Sequence, residues 1–326
     1  MTTEVIVVGS YNQDHVWRID RFPQPGETRR GTAFQTGPGG KGFNQAVACH
    51  RQGASTLFLG ALGRDALGEG AQKTAADYGL PCRWQLCDDT PTAATCVIVD
   101  AEGRNEIVVH LAANEKLEPA FLAAQPEWNG ARVLLTQMEN NLDATRTALQ
   151  LGGEHGLVRI LNPAPVHADT DAALIAACDI LTPNETEFAM LLEKLHGERI
   201  DPDAVASTSD DTLHALCQRL GVPTVVVTLG GSGSFVSHAD DQRGDTATHY
   251  RIGAEAARVI DTTGAGDAFS GALAAALCRF AERPFHEAVR HAGRAAALST
   301  ERVGAASASA DFDAVVSRYG TPELTA

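Results

Sequence analysis

Four short apolar runs, near residues 131–136, 157–161, 178–182 and 223–229, alternate with helical stretches near 142–152, 170–177, 185–195 and 211–220. A strand that is repeatedly followed by a helix builds a parallel sheet with helices on both faces, because such crossovers are right-handed. The opening run Glu4–Ser10 (EVIVVGS) obeys the same logic, being apolar without alternation, as a strand covered on both faces must be. Thr56–Leu62 is another strand, with helices over 43–52 and up to Gly79 on either side of it. A β-rich pair around 233–251 and two helices near 266–281 and 284–300 follow. Two stretches break the rhythm. Residues 16–36 carry short strands and turns, and 93–110 reads as a hairpin around Glu102-Gly-Arg-Asn105. The expected fold is one α/β domain over 1–326, with a central, mostly parallel sheet flanked by helices in three layers. Strands from about 14–36 and 93–110 form a small β lid over one end of it. The polar stretch 196–212 is expected to be the most mobile.

Charge and cysteine content narrow the function classes. Twenty-six basic against 41 acidic residues give a net charge of −15, which argues against a nucleic-acid or anionic-membrane surface. Seven cysteines with no C-x-x-C spacing suit reduced thiols rather than a disulfide framework or a zinc site. No apolar run approaches 18 residues, and no signal-peptide pattern follows Met1. A cytoplasmic enzyme is the expectation.

The chemistry concentrates in Asp261-Thr-Thr-Gly-Ala-Gly-Asp-Ala-Phe-Ser-Gly-Ala-Leu273. A glycine-rich turn entering a helix gathers unpaired N–H groups at the positive end of the helix dipole, a site for an anion such as phosphate. Gly264 and Gly266 let the main chain approach it closely. Asp267 would repel that anion unless it served as a general base for a substrate hydroxyl. The alternative is a helix cap with Asp267 as dipole partner.

Two further glycine clusters need separating from nucleotide motifs. Gly37-Pro-Gly39-Gly-Lys-Gly42 matches G-x-G-x-x-G but lies about 28 residues beyond Gly9 and the first strand, so a dinucleotide-binding dehydrogenase is disfavoured. It is no Walker A motif either, since Gly42 follows Lys41 where Ser or Thr is required. It remains a turn whose backbone, with Lys41 and Asn44, can donate to a polyhydroxylated substrate. Thr228-Leu-Gly-Gly-Ser-Gly233 could wrap nucleotide phosphates or be a plain turn. Asn12, Asp14 and Glu139 stand at carboxyl ends of strands, where open α/β sheets bind ligands. Asn184 and Glu187 can form a capping box, or face Mg²⁺ and its waters. No metal-spaced His/Cys group and no Ser-His-Asp arrangement can be picked out, so hydrolase mechanisms lose ground.

Taken together, Gly9-Ser-x-Asn12-x-Asp14, Gly39-Gly-Lys-Gly-x-Asn44-Gln-Ala, Asn162-Pro-Ala-Pro165, Thr182-Pro-Asn-Glu-Thr-Glu187, Thr228-Leu-Gly-Gly-x-Gly233 and Asp261-Thr-x-Gly-Ala-Gly-Asp267 resemble the ribokinase family of sugar kinases (the PfkB superfamily). The likeness runs through nearly the whole chain. It implies ATP-dependent phosphorylation of a sugar's primary hydroxyl, with D-ribose the expected sugar. Asn12, Asp14, Gly40, Lys41, Gly42, Asn44 and Glu139 would hold the sugar. Asp267 would be the base and the amides of Gly264, Ala265 and Gly266 the anion hole. Asn184, Thr228, Leu229, Gly230, Gly231, Ser232, Gly233 and Gly266 would border ATP, with Glu187 acting on Mg²⁺ through water. A monovalent cation, K⁺, would lie among Asp261, Thr263, Ser299, Arg302 and Gly304, mostly on backbone carbonyls. A homodimer would pair through the lid strands. Two departures from the family pattern are Ala308, where a serine is usual near the cation, and Gly293, where a His or Asn flanks the adenine. Same-class alternatives are kinases for deoxyribose, fructose, a ketodeoxy acid or a nucleoside. From another class comes a non-catalytic sugar sensor.

Overall fold

The computed structural model describes residues 2–321; Met1 and 322–326 of the expected domain lie outside the described residues. The opening apolar run forms β1 (Val5–Val8). Val5 and Val7 enter one core while Ile6 and Val8 enter the other, all four fully buried. Successive strand side chains point to opposite faces, so a strand covered twice is apolar throughout. The other strands are β2 (Asn12–Arg18), β3 (Ala33–Gly39), β4 (Thr56–Gly63), β5 (Cys82–Cys87), β6 (Ala94–Val99) and β7 (Asn105–His110). After them come β8 (Val133–Thr136), β9 (Val158–Leu161), β10 (Ile180–Leu181), β11 (Thr224–Thr228), β12 (Ser234–His238) and β13 (His249–Ile252).

Nine of these strands form one sheet in the order β13-β12-β11-β10-β9-β8-β1-β4-β5. Pairing is parallel from β5 to β11 and antiparallel at β11–β12 and β12–β13. Helices Lys41–Arg51, Ala66–Asp77, Ala265–Arg279, Phe285–Ser299 and Phe312–Tyr319 cover one face, through Phe43, Val47, Ala71, Leu273, Val289 and Val315. Helices Leu142–Glu154, Ala172–Ala176, Glu185–His196 and Asp210–Gln218 cover the other, through Leu149, Leu174, Leu192 and Leu213. The architecture is the expected three-layer α/β fold. Among the described residues no helix is long and apolar enough to cross a membrane.

The remaining strands form a separate sheet in the order β3-β2-β6-β7, at the carboxyl end of β1. Asp14 and Thr95 are register partners on one of its faces. On the other face the rings of His15, Trp17 and Phe34 lie against one another. Phe34, Ile107 and Val108 of this sheet are exposed.

Several elements depart from the sequence reading. The polar patch Asn12–Asp14 is strand, because Asn12 to Arg18 pair along all of β3. β5 (CRWQLC) and the helix Phe312–Tyr319 carried no apolar run that singled them out. In 196–212, Asp201 and Ser209 cap two helices, and Arg251 donates to the carbonyls of Ala206 and Thr208.

Candidate active site

The site forms where helix Lys41–Arg51 crosses helix Ala265–Arg279 above the carboxyl ends of β1, β8, β9 and β10. The crossing depends on Gly271, where a Cβ would stand 2.3 Å from Gln45 O, and Gly42 seats the first helix on the end of β1, where a Cβ would stand 2.5 Å from Gly9 Cα. Both glycines sit where only hydrogen fits. A cleft of about 170 Å³ opens beside the crossing, lined by Lys41, Asn162, Thr182, Asn184, Glu187, Thr228, Thr262, Gly264–Asp267 and Ser270.

Gly264 caps the second helix at φ 73°, a left-handed conformation suited to glycine, and a Cβ there would lie 2.6 Å from Ala305 Cβ. Of the three expected anion-hole residues, Ala265 already donates its amide to Thr262 O, at 3.2 Å. Gly264 and Gly266 line the cleft, and a Cβ on Gly266 would meet open space. Asp267 is buried in the first turn, its carboxylate held from both sides: Asn44 Nδ2 donates to Oδ2 (3.0 Å) and Gln45 Nε2 to Oδ1 (2.9 Å). Burial pushes this carboxyl up from its ordinary value, and the Lys41 ammonium with the two amides pulls it back. Burial would lower Lys41, but Asp267, Glu139 and Glu187 hold its ammonium above the usual value.

Toward the small sheet, Glu139 accepts from Lys41 N (2.9 Å) and from Ser10 Oγ. Asn12 Oδ1 accepts from Asn114 Nδ2 (2.9 Å), and Asn114 also bonds both main-chain groups of Tyr11. Asp14 lies so close to Gly39 that a Cβ there would stand 2.1 Å from its Oδ2. Burial pushes Asp14 up to about 6, aided by the charges of Glu139 and Asp267 and opposed by the Thr95 hydroxyl. Gly40 has φ 88°, and a Cβ there would meet Asn12 N at 2.8 Å.

At the other end of the cleft, Asn184 and Glu187 form the capping box: Glu187 N donates to Asn184 Oδ1 (2.8 Å) and Asn184 N to Glu187 Oε2 (2.9 Å). Glu187 nevertheless lines the cleft, its carboxyl raised by burial and restrained by Asn184 N and Lys41. Thr228 pairs with Asn184 through an isolated bridge and reaches the cleft wall. Leu229 sends its side chain into the core, so only its main chain could meet a nucleotide. Gly230–Ser232 form a tight turn, and Gly233 at φ 90° would carry a Cβ 2.0 Å from Ile252 O.

Behind the anion turn, Asp261 accepts from Thr263 N (2.9 Å), Thr263 Oγ1 (2.6 Å) and Gly304 N (2.9 Å). These bonds join the two loops expected around a monovalent cation and, against burial, hold Asp261 below its ordinary value. Ser299 and Arg302 belong to the same turn, Arg302 N donating to Ser299 O. Ala308 is fully buried without a hydroxyl, whereas Ser307 Oγ approaches Gly304, 2.4 Å from where a Cβ would stand. A Cβ on Gly293 would meet nothing within 4 Å. Gln45, Gln137 and Asn114 carried no individual signal in the sequence reading, because their partners lie 92 to 222 positions away or are defined only by the fold.

The family model of pfkB carbohydrate kinases matches residues 2–311. The chain belongs to this family. It is 34% identical to a ribokinase from Haemophilus influenzae, over 94% of this chain and 95% of that one. It is 30% identical to a deoxyribokinase from Salmonella typhi, over 83% and 84%. Its fold is similar to that of an Arabidopsis thaliana ribokinase complexed with ribose and ATP, at 29% identity and a TM-score of 0.82, covering 97% of this chain and 98% of that one. The pfkB membership makes the chain a carbohydrate kinase, an enzyme that transfers phosphate to an alcohol group.

Proposed function

We propose that the enzyme transfers the γ-phosphoryl group of ATP to the primary hydroxyl of D-ribose, giving ribose 5-phosphate and ADP. The observation that carries this reading is Asp267, held by Asn44 and Gln45 beside the Gly264–Gly266 turn, with Lys41 and Glu187 across the same cleft. Asn12, Asp14, Gly40, Gly42, Asn44 and Glu139 hold the sugar with its primary hydroxyl at Asp267. The hydroxyl oxygen attacks the γ-phosphorus as its proton passes to Asp267. The bond from phosphorus to the β–γ bridging oxygen breaks, and the electron pair leaves with ADP. The Gly264 and Gly266 amides and Lys41 stabilise the charge on the phosphoryl oxygens in transit. Lys41 belongs as much to this phosphate path as to the sugar, since its ammonium lines the cleft with Glu187. The Asn184–Thr228 pair and the main chain through Gly233 border the nucleotide.

Two ions fit the residues present. Bound with ATP, Mg²⁺ would neutralise phosphate charge, and the cleft-lining carboxylate of Glu187 suits contact through water. The Asp261-tied loops, with carbonyls near Thr263, Ser299, Arg302 and Gly304, fit a K⁺ cage, with Ser307 supplying the hydroxyl that Ala308 lacks. The exposed Trp17, Phe34 and Val108 of the small sheet support a homodimer through the lid. Unpaired cysteines throughout the chain support a reducing, cytoplasmic setting.

Deoxyribose is the second reading, favoured by the 30% identity to a deoxyribokinase. ADP release with MgATP and a panel of sugars and nucleosides, each with K⁺ or Na⁺ alone, decides between them. Turnover confined to ribose and raised by K⁺ is expected; preferred turnover of deoxyribose would overturn the assignment. Asp267→Asn should lose roughly 10²–10⁴-fold in turnover while keeping sugar affinity. Silence across the panel with ribose binding intact would mark a sensor.

A further inference from the structure

Four amide and carbonyl groups form a directed chain behind Asp267. Thr182 O can only accept, and Asn162 Nδ2 donates to it at 2.8 Å. Asn162 Oδ1 is thereby turned toward Gln45, whose Nε2 donates to it at 3.0 Å and to Asp267 Oδ1 at 2.9 Å. Both Gln45 amide hydrogens are then spent on acceptors. Gln45 Oε1 accepts from Gln137 Nε2 at 2.6 Å. The polarity of every amide follows from the two ends, one a carbonyl and the other a carboxylate, so it does not depend on telling amide oxygen from nitrogen. Gln45 and Gln137 are both completely buried. Gln137 Oε1 has no donor among the described residues and lies where a Cβ on Gly9 would be 2.3 Å away.

Burying two glutamines, one with an oxygen unpaired, costs stability that a packed apolar pair would not. The chain leads to one atom, Asp267 Oδ1. We propose that Gln45, oriented by Gln137, is a positioning residue that fixes the Asp267 carboxylate and favours its charged, proton-accepting form. A donor on a carboxylate oxygen stabilises the ionised state over the protonated one. The charged groups facing Asp267 from other elements pull both ways: Lys41 favours ionisation, while Asp14, Glu139 and Glu187 oppose it. Asn44 alone would leave Oδ1 facing an uncompensated burial. The inference rests on the reading of Asp267 as the base.

The test is the pH dependence of kcat at saturating sugar and MgATP, a condition that separates Asp267 from groups acting on sugar affinity. Gln45→Leu should move the acid limb of kcat up by about one pH unit, lowering turnover about tenfold on that limb. The alkaline plateau and the sugar KM there should change far less. Gln45→Leu/Gln137→Leu should recover part of the thermal stability lost in the single variant, since the Gln137 amide is no longer stranded while Asn162 Oδ1 still lacks its donor, yet keep the displaced limb. A purely structural role would give a lower Tm with the limb unmoved, overturning the proposal. Should Gln45→Leu not fold, Gln45→Glu keeps the shape and places a second carboxylate against Asp267; an unmoved limb there overturns it equally. Asp267→Asn separates the two readings. If it retains turnover, the base assignment falls and this inference with it. If it is inactive while both Gln45 variants keep the wild-type limb, only the role of Gln45 falls.

Discussion

Asp14 offers a pH experiment whose size can be worked from its surroundings. Burial, with Glu139 and Asp267 nearby, raises this carboxyl from 3.8 to about 6, although the Thr95 hydroxyl bonds to it. A sugar hydroxyl donates best to the ionised form, so sugar should bind the charged state and lower its proton affinity. At pH 5, one unit below the midpoint, about a tenth of Asp14 is ionised, and ribose affinity should be about tenfold weaker than at pH 7.5. Calorimetric titration of the nucleotide-free enzyme should show that fall, with a proton released on binding near pH 6. Asp14→Asn should bind weakly at every pH with most of the slope removed. In the sugar-free protein the sign is opposite to that of a salt-bridged acid. The fold holds this proton more tightly than the unfolded chain, so stability is highest at low pH on account of this group. It declines as pH rises from 3.8 through about 6, by at most about 3 kcal/mol and by less where water reaches the carboxylate. Affinity constant within twofold from pH 5 to 7.5, or an equal slope in Asp14→Asn, would refute the reasoning.

Three further outcomes follow from the geometry. Gly233→Ala forces a side chain to φ 90° with its Cβ 2.0 Å from Ile252 O, and should cost about 2 kcal/mol or more, read as a lower midpoint in urea. Asn114→Ala strands the main chain of Tyr11 and releases Asn12; stability should drop by about 2 kcal/mol, and sugar KM should rise more than kcat falls. Asp261→Ala unties Thr263 from Gly304, and the ratio of turnover in K⁺ to that in Na⁺ should fall toward one while ribose affinity holds.

The strands that were easy to read are those buried on both faces, because there burial alone dictates composition; β1 and β11 are of this kind. β5 escaped notice because it lies at the edge of the sheet and mixes Arg83 and Gln85 with its apolar residues. Glycine motifs were legible at the site for a related reason. A close main-chain approach, as at Gly40, Gly42 and Gly264, admits one residue type and so leaves a mark in the sequence. Gln45 and Asn114, the amides behind Asp267 and Asn12, leave no such mark by themselves. Gln45 lies 222 positions from Asp267 and Asn114 lies 102 from Asn12; nothing local distinguishes them from surface glutamines and asparagines. Leu229 shows the converse, a residue inside a nucleotide-like motif whose side chain serves the core.

The crossing of helix Lys41–Arg51 with helix Ala265–Arg279 also sets a timetable for the nascent chain. The first helix leaves the ribosome roughly two hundred residues before its partner is made. At about 5–20 residues per second that interval is on the order of 10–40 s, during which Phe43 and Val47 have no Leu273 to pack against. β1, an interior strand of the finished sheet, likewise waits for β8 to close its second edge. The amino-terminal third is thus made long before it can be buried, and an elongating chain should engage holding chaperones until synthesis passes Arg279.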